Sequence, residues 1–547
     1  MTPWGKRIPR RLDPFHVSGL TGVPVEETKT PWAIASAGAA TIGYDSAFIG
    51  GTIALDSFKD EFQFENCSMS EVDLFKVNIV SCYQAGAFFG ALAAYPAGQF
   101  LGRRLGMLIF GPIFLLGAGI MLAINNERGF ALLYAGRVIA GLSIGAISNL
   151  IPINISEISP PAIQGRLVGM WEVGWQSGGL VGVWINYAVS KTLAPSHKQW
   201  LIPFAVQLIP AGILILGALV SDESPRWLMA NGKREKGLRV LSKFRNLPLD
   251  HPYMKEEIAQ IDLGIEEQAR TIGLGFNAPF KEVAHKRNIQ WRMFLAGSLF
   301  FWQNGSGINA INYYSPTVFQ SIGIVGTNAS LLPTGIFGVI KTVMTVVWIL
   351  VLIDQVGRRN LLIYGALGGS ISLWIVGGYV AVAKPSADGG SAGSPGGTMA
   401  MAFFYIYTIF YTPSWNGTPW CISSEIFDQN VRSLGQAFAA ANNWFWNFIV
   451  ARFTPQMFTH MGFGVFFLFV GLQLASMVYV WLFVPETKGV PLEKMDMLFD
   501  QGLKPWRAHR AVMKQLQELD SNNINSVMEQ NVLDKEGSDH VEKVEKV

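Results

Sequence analysis

Residues 102–106 read "GRRLG", and residues 357–361 read "GRRNL". A second pair keeps the same order, "SEISPPAIQGRLVG" at 156–169 and "SEIFDQNVRSLG" at 424–435. The offsets, 255 residues from 102 to 357 and 268 from 156 to 424, are nearly equal in a chain of 547 residues. A chain that repeats itself at about half its length is built from two copies of one unit.

Composition says what kind of unit it is. Half of the residues are hydrophobic and only 15% are charged, and the mean hydropathy is +0.29, which fits a polytopic membrane protein. Apolar runs of spanning length occur at 32–55, 77–97, 106–124, 131–155, 166–190 and 201–220. Six more follow at 291–320, 330–353, 360–384, 402–424, 432–456 and 464–484. Lipid offers the backbone no hydrogen bonds, so each run is expected as a helix. The fold class is therefore all-α, with twelve transmembrane helices in two pseudo-symmetric six-helix bundles.

Between the bundles the chain turns charged, and "KEEIAQIDLGIEEQA" (255–269) sets Ile258, Ile261 and Ile265 at helical intervals. That pattern predicts a linker of short amphipathic helices. The chain divides into a tail (1–31), a first bundle (32–221), the linker (222–290), a second bundle (291–485) and a polar tail (486–547) expected to be disordered.

A net charge of +3 gives no reason to invoke nucleic acid. Lys6, Arg7, Arg10 and Arg11 in the first tail, and Arg103, Arg104, Arg358 and Arg359 in short loops an even number of spans away, mark the cytoplasmic side. Both termini are expected there. A long polar tail precedes the first apolar run, so that span, rather than a cleaved signal, is expected to direct insertion into the membrane. The sequons at Asn66 and Asn328 fall in loops on the opposite side. Cys67, Cys82 and Cys421 lack metal-ligand spacing, and the seven histidines sit in loops, tails or span ends. No metal, no cofactor and no chemistry on a substrate is expected.

Five separated motifs carry a resemblance to a known family: GRR twice, "ISEISPPAIQGR" (155–166), "DESPRWL" (222–228), "QNGSGINAINYYS" (303–315) and "PETKGVPLE" (485–493). In this order they resemble the sugar porters of the major facilitator superfamily. Within it, "IGYDSAFIGGT" (42–52), "LAPSHKQWLIPFAVQLIPAG" (193–212) and "FYTPSWNGTPW" (410–420) are most similar to fungal quinate permeases. The resemblance implies alternating access around a midplane site, a small polyol or polyol acid and protons as partners, and a plasma-membrane location. The chain departs from the family at Gln99, where an Asp is usual although the second half keeps Asp354, and at Gln164, where an Arg is common. Either change can soften the cytoplasmic gate.

An ionisable residue within the hydrocarbon costs at least about 2.5 kcal/mol and so marks function. Asp45 lies mid-span, and Arg137 begins a face lined by Gly141, Gly145 and Ser148. The resemblance implies that Asp45 and Arg137 act together in proton coupling; the plainer reading is a permanent ion pair that fixes packing. Gln207 stands where some bacterial symporters carry a third carboxylate.

The resemblance also implies that Gln303, Asn304 and Asn309 bind hydroxyls, that Trp420 floors the pocket, and that Asn443, with Asn447 one turn later, contributes from the eleventh span. Amides suit polyols because each offers a donor and an acceptor. Asn312 is read as an interhelical packing residue. On a straight helix the three binding amides point about 100° or more apart, so Gly305 and Gly307 are expected to unwind the span between them.

Two positions depart from a neutral sugar site. Glu172 stands where Gln is common, with Gln176 one turn on, and Lys341 shares a stripe with Thr334, Gly338 and Thr345, immediately before Thr342. A lysine there suits a carboxylate on the substrate; pairing with Glu172, or snorkelling, is the plainer reading. Glu172 has three open roles: binding hydroxyls, balancing Lys341, or sharing the proton cycle. Glu157 with Arg103 or Arg104, and Glu425 with Arg358 or Arg359, are implied to form gating clusters on the cytoplasmic face.

The function read from these residues is proton-coupled import of quinate or a related cyclic polyol acid. A proton-coupled hexose or pentose transporter is the rival with the same fold. A nutrient sensor that binds without transporting is disfavoured by the short tail after Glu486.

Overall fold

The computed structural model describes residues 29–518 apart from 126–128, 160–163, 272, 274, 323–326, 385–394, 428–430, 491–494, 501 and 503. Among the described residues the backbone is helical, with no strand. Six helical units form the first half: α1 Lys29–Ala54, α2 Met69–Phe100, α3 Arg103–Leu122, α4 Ala131–Ile158, α5 Gln164–Thr192 and α6, made of His197–Val206 and Leu208–Val220. Six form the second: α7, made of Arg287–Gly305 and Ile308–Ser321; α8 Thr327–Val347, continuing through Trp348–Leu352 to Ile353–Gln355; and α9 Arg358–Ala383. These are followed by α10, Pro395–Tyr411 running through Thr412–Asn416 into Thr418–Glu425, then α11 Arg432–Met461 and α12 Gly464–Phe483. Each apolar run read from the sequence overlaps one of these units.

Seven of the units, α2, α3, α4, α6, α8, α9 and α12, are long and apolar enough by themselves to cross a membrane. The five that fall short, α1, α5, α7, α10 and α11, all turn polar side chains, or a break in the helix, toward the centre of the molecule, and α8 adds Lys341 to them.

Small residues set how closely the helices pass. A Cβ on Gly141 or Gly145 of α4 would lie 2.1 and 2.0 Å from the carbonyl oxygens of Tyr83 and Ala87 of α2. Only glycine admits that approach, and it seats Arg137, one turn earlier on α4, against α2. Each half has its own apolar core. The halves meet where α5 packs along α8 and α2 along α11.

The internal repeat survives to the level of atoms. Arg103 Nη2 donates to Glu157 at 2.6 Å and Arg358 Nη2 to Glu425 at 3.1 Å. The backbone N–H groups of Arg103 and Arg104 donate to the Glu223 carboxylate, and those of Arg358 and Arg359 to Glu486. A carboxylate on exposed N–H groups at a helix start is favourable because the helix dipole is positive there. The two glycines that begin these turns match as well, with φ of +89° at Gly102 and +93° at Gly357. The second arginine of each pair does not join the glutamate cluster. Arg104 donates to the carbonyls of Ala218 and Leu219, and Arg359 to that of Trp481, so each ties its loop to the last span of its own half.

The linker folds into Pro225–Ala230, Arg234–Arg245, Pro252–Thr271 and Ala278–His285. Arg245, 1% exposed, clamps Glu257 through Nε at 2.9 Å and Nη2 at 2.6 Å, while Nη1 donates to Ile158 O at the end of α4. The start of the second tail corrects the expected disorder. A helix at 505–518 packs Ala508, Val512 and Leu516, at i, i+4, i+8 spacing, against Val490, Met495 and Leu498. Asn66 is exposed. Residues 1–28 of the first tail, the side chains of Asn328 and Gln164, and residues beyond 518 lie outside the described residues, and the last three residues of that tail, 29–31, begin α1.

Candidate functional site

A cavity lies between the halves, lined from α1, α5, α7, α8, α10 and α11. The break in α7 builds one wall. Its first part ends at Gly305, Ser306 turns, and Gly307 takes φ +88° before the helix restarts at Ile308. A Cβ on Gly307 would lie 2.6 Å from the Phe469 ring, so only glycine fits this corner.

The corner gathers the amides into one row. Asn304 Nδ2 donates to Asn443 Oδ1 at 3.3 Å, Asn309 Nδ2 to Asn304 Oδ1 at 2.6 Å, and Asn312 Nδ2 to Asn309 Oδ1 at 3.2 Å. Lys341 Nζ closes the row on Asn312 Oδ1 at 3.4 Å. Gln303 Nε2 donates to the carbonyls of Trp415 and Asn416, both at 2.8 Å, and its Oε1 is left without a protein partner. It holds the widened turn Thr412–Asn416 of α10 in place.

Opposite this row, Glu172 accepts from Gln176 Nε2 at 2.6 Å and from Asn416 Nδ2. The second bond crosses from α5 to α10 and so joins the two halves at the cavity. Glu172 is 7% exposed and Lys341 9%, and both line the wall. Trp420 also lines it, its ring edge-on to Phe300 at 4.7 Å.

Of the residues expected at the ligand, Gln303, Asn309, Trp420, Asn443, Glu172 and Lys341 reach the cavity. Asn304 and Thr342 do not. Asn304 stands behind the wall, bridging Asn443 and Asn309, and Thr342 bonds the Gly338 and Gln176 carbonyls. Asn312, read from sequence as a packing residue, is on the wall. Asn416 and Tyr411 were missed, although "FYTPSWNGTPW" held both; nothing in the pattern revealed the widened turn that aims Asn416 inward. Glu223 and Glu486 also sat inside quoted motifs without an assigned role.

Beside the cavity, Arg137 Nη1 donates to Asp45 Oδ1 at 2.9 Å and Nε to Ile79 O at 3.1 Å. The guanidinium lies over the Tyr83 ring, 4.4 Å from its centroid, and both charged side chains are fully buried. The neighbouring residue Ser46 lines the cavity, as do Tyr313 and Asn447, which are joined by a 3.1 Å bond from Asn447 Nδ2. Tyr313 also faces both Asp45 and Arg137, so the pair adjoins a residue of the cavity wall.

Two helical halves around a polar cavity, with a buried ion pair beside it, define a multi-pass membrane transporter. The chain belongs to the family described as sugar (and other) transporter, whose model matches residues 32–499. It is 58% identical over 513 residues to a probable quinate permease of Aspergillus fumigatus, covering 94% of each chain. It is 60% identical over 488 residues to the quinate permease of Emericella nidulans, covering 89% of this chain and 91% of that one. Among solved structures it resembles the proton:xylose symporter XylE bound to 6-bromo-6-deoxy-D-glucose, with TM-score 0.72, 26% identity and coverage of 87% of this chain and 99% of that one. The inward-open form of the xylose transporter XylE from E. coli matches with TM-score 0.67, 25% identity and coverage of 86% and 99%.

Proposed function

We propose that this chain imports quinate, or a closely related cyclic polyol acid, together with protons across the plasma membrane, with both termini in the cytoplasm. The two halves rock about the cavity, exposing it to one side at a time. The amide row supplies paired donors and acceptors for ring hydroxyls through Gln303, Asn309 and Asn443, with Asn304 positioning the last two. Trp420 gives the apolar floor. Asp45 loads and releases the proton as its contact with Arg137 changes. The clusters around Glu157 and Glu425, largely buried from solvent, brace each half at its cytoplasmic end.

One observation carries the choice of substrate: Lys341 reaches the cavity at the end of the amide row. An ammonium donates to any hydroxyl, but only a polyol acid gains from it the stronger charge-assisted bond to a carboxylate. The names of the fungal relatives agree with this reading.

Ligand-induced stabilisation of the purified full-length protein tests it, because a ligand that binds only the folded state raises the melting temperature with its concentration. Quinate is expected to raise the midpoint at millimolar concentration while glucose and xylose leave it unchanged. A shift with either sugar and none with quinate rejects the proposal.

A further inference from the structure

The observation is a charge count. Glu172 and Lys341 stand on the cavity wall, and Asp45 and Arg137 face Tyr313 of the same wall, all four at least nine-tenths buried. With each in its ordinary ionised form the four sum to zero. A monoanion entering that site leaves a net negative charge in a low-dielectric interior, which is costly unless compensated. A proton on Asp45 leaves the Arg137 charge uncancelled, the sum becomes +1, and a monoanion restores neutrality.

The surrounding groups do not alter the count. Tyr44, Tyr83, Cys82 and Tyr313 face the pair from α1, α2 and α7, and Tyr411 and Cys421 face Glu172 from α10. Tyrosine and cysteine are neutral near pH 7. Arg452 of α11, which also faces Cys82, is partly exposed and donates to Asn78 at 3.3 Å, so water screens its charge more than that of the four buried groups.

We propose that protonation of Asp45 supplies the positive charge that admits a carboxylate beside Lys341, so that one proton accompanies one monoanion without net charge transfer, and that Glu172 sets this count. The inference rests on the polyol-acid reading above and deepens it. It gives Glu172 a purpose that hydroxyl binding does not. With a glutamine there, the site is already +1 while Asp45 is ionised, and the anion needs no proton.

The test uses the full-length protein in proteoliposomes, one pH unit more acidic outside, with the potential clamped at zero or at 100 mV inside-negative. Labelled quinate is expected to accumulate about tenfold at both potentials, one pH unit being a factor of ten for one proton. Moving one net positive charge inward multiplies accumulation at 100 mV by about 50-fold, and one net negative charge divides it by as much. Glu172→Gln is expected to ignore the pH gradient and to accumulate about 50-fold less at the inside-negative potential than at zero. Parent accumulation that changes tenfold or more with potential overturns the charge count while leaving the substrate reading intact. So does Glu172→Gln if it keeps the tenfold, potential-independent response. No quinate uptake by the parent overturns the substrate reading and the inference together.

Discussion

Arg137 donates to Asp45 across 2.9 Å with neither side chain exposed, and the same guanidinium caps Ile79 O and covers the Tyr83 ring. The pair lies within the first half, with Asp45 Oδ2 and Arg137 Nη2 buried and left without a hydrogen-bond partner. Removing one partner leaves the other as an uncompensated buried charge, at a cost of about 3–5 kcal/mol. Arg137→Met should therefore lower the melting temperature of the purified protein sharply. Asp45→Asn combined with Arg137→Met should recover a large part of that loss, and a double variant no more stable than the single would show that the two residues are not coupled.

Lys341→Met removes a charge-assisted hydrogen bond to the substrate, worth about 1.5–3 kcal/mol. The KM for quinate at pH 5 should rise roughly 10- to 150-fold. Initial-rate uptake measures this directly, and an unchanged KM would remove the lysine from the substrate site.

Gly307 and Gly305 looked equivalent as helix breakers in the sequence, yet only Gly307 has a positive φ, +88°, and a Cβ clash, 2.6 Å from Phe469. At Gly305 a Cβ would meet nothing nearer than Leu472 at 3.5 Å. Gly307→Ala should destabilise by about 1–3 kcal/mol and abolish uptake, while Gly305→Ala should be tolerated. Thermal melting with parallel uptake separates the two.

Arg245→Ala should cost about 3–5 kcal/mol, because it leaves the buried Glu257 carboxylate alone and frees Ile158 O at the end of α4. The check is a lower melting temperature, with limited proteolysis cutting first within 222–290. Parent-like melting would mean the linker does not brace the first half.

The twelve helical units were legible because lipid enforces long apolar runs, and the repeat was legible because each half reuses Gly–Arg–Arg and Ser–Glu–Ile at its loops. Part of the cavity wall was legible as polar residues in apolar spans, Glu172, Gln303, Asn309, Lys341 and Asn443 among them. What failed was radial placement. Asn304 and Asn312 are eight residues apart on one span, and the turn at Ser306–Gly307 rotates Asn304 behind the wall and Asn312 onto it, a rotation that helical periodicity does not encode. Asn416 was hidden for a related reason: the widened turn before Gly417, gripped by Gln303 through two carbonyls, aims it at Glu172. The folded start of the second tail was overlooked because its three apolar contacts are spread thinly among charges.

The most direct test of proton-coupled quinate import is uptake of labelled quinate by yeast cells lacking their own transporters, at external pH 5 and pH 7, with the parent chain and Asp45→Asn. The parent should accumulate quinate above the external concentration at pH 5 and far less at pH 7, and Asp45→Asn should fail to concentrate it at either pH. Parent uptake indifferent to pH, or undiminished accumulation by Asp45→Asn at pH 5, would contradict the account.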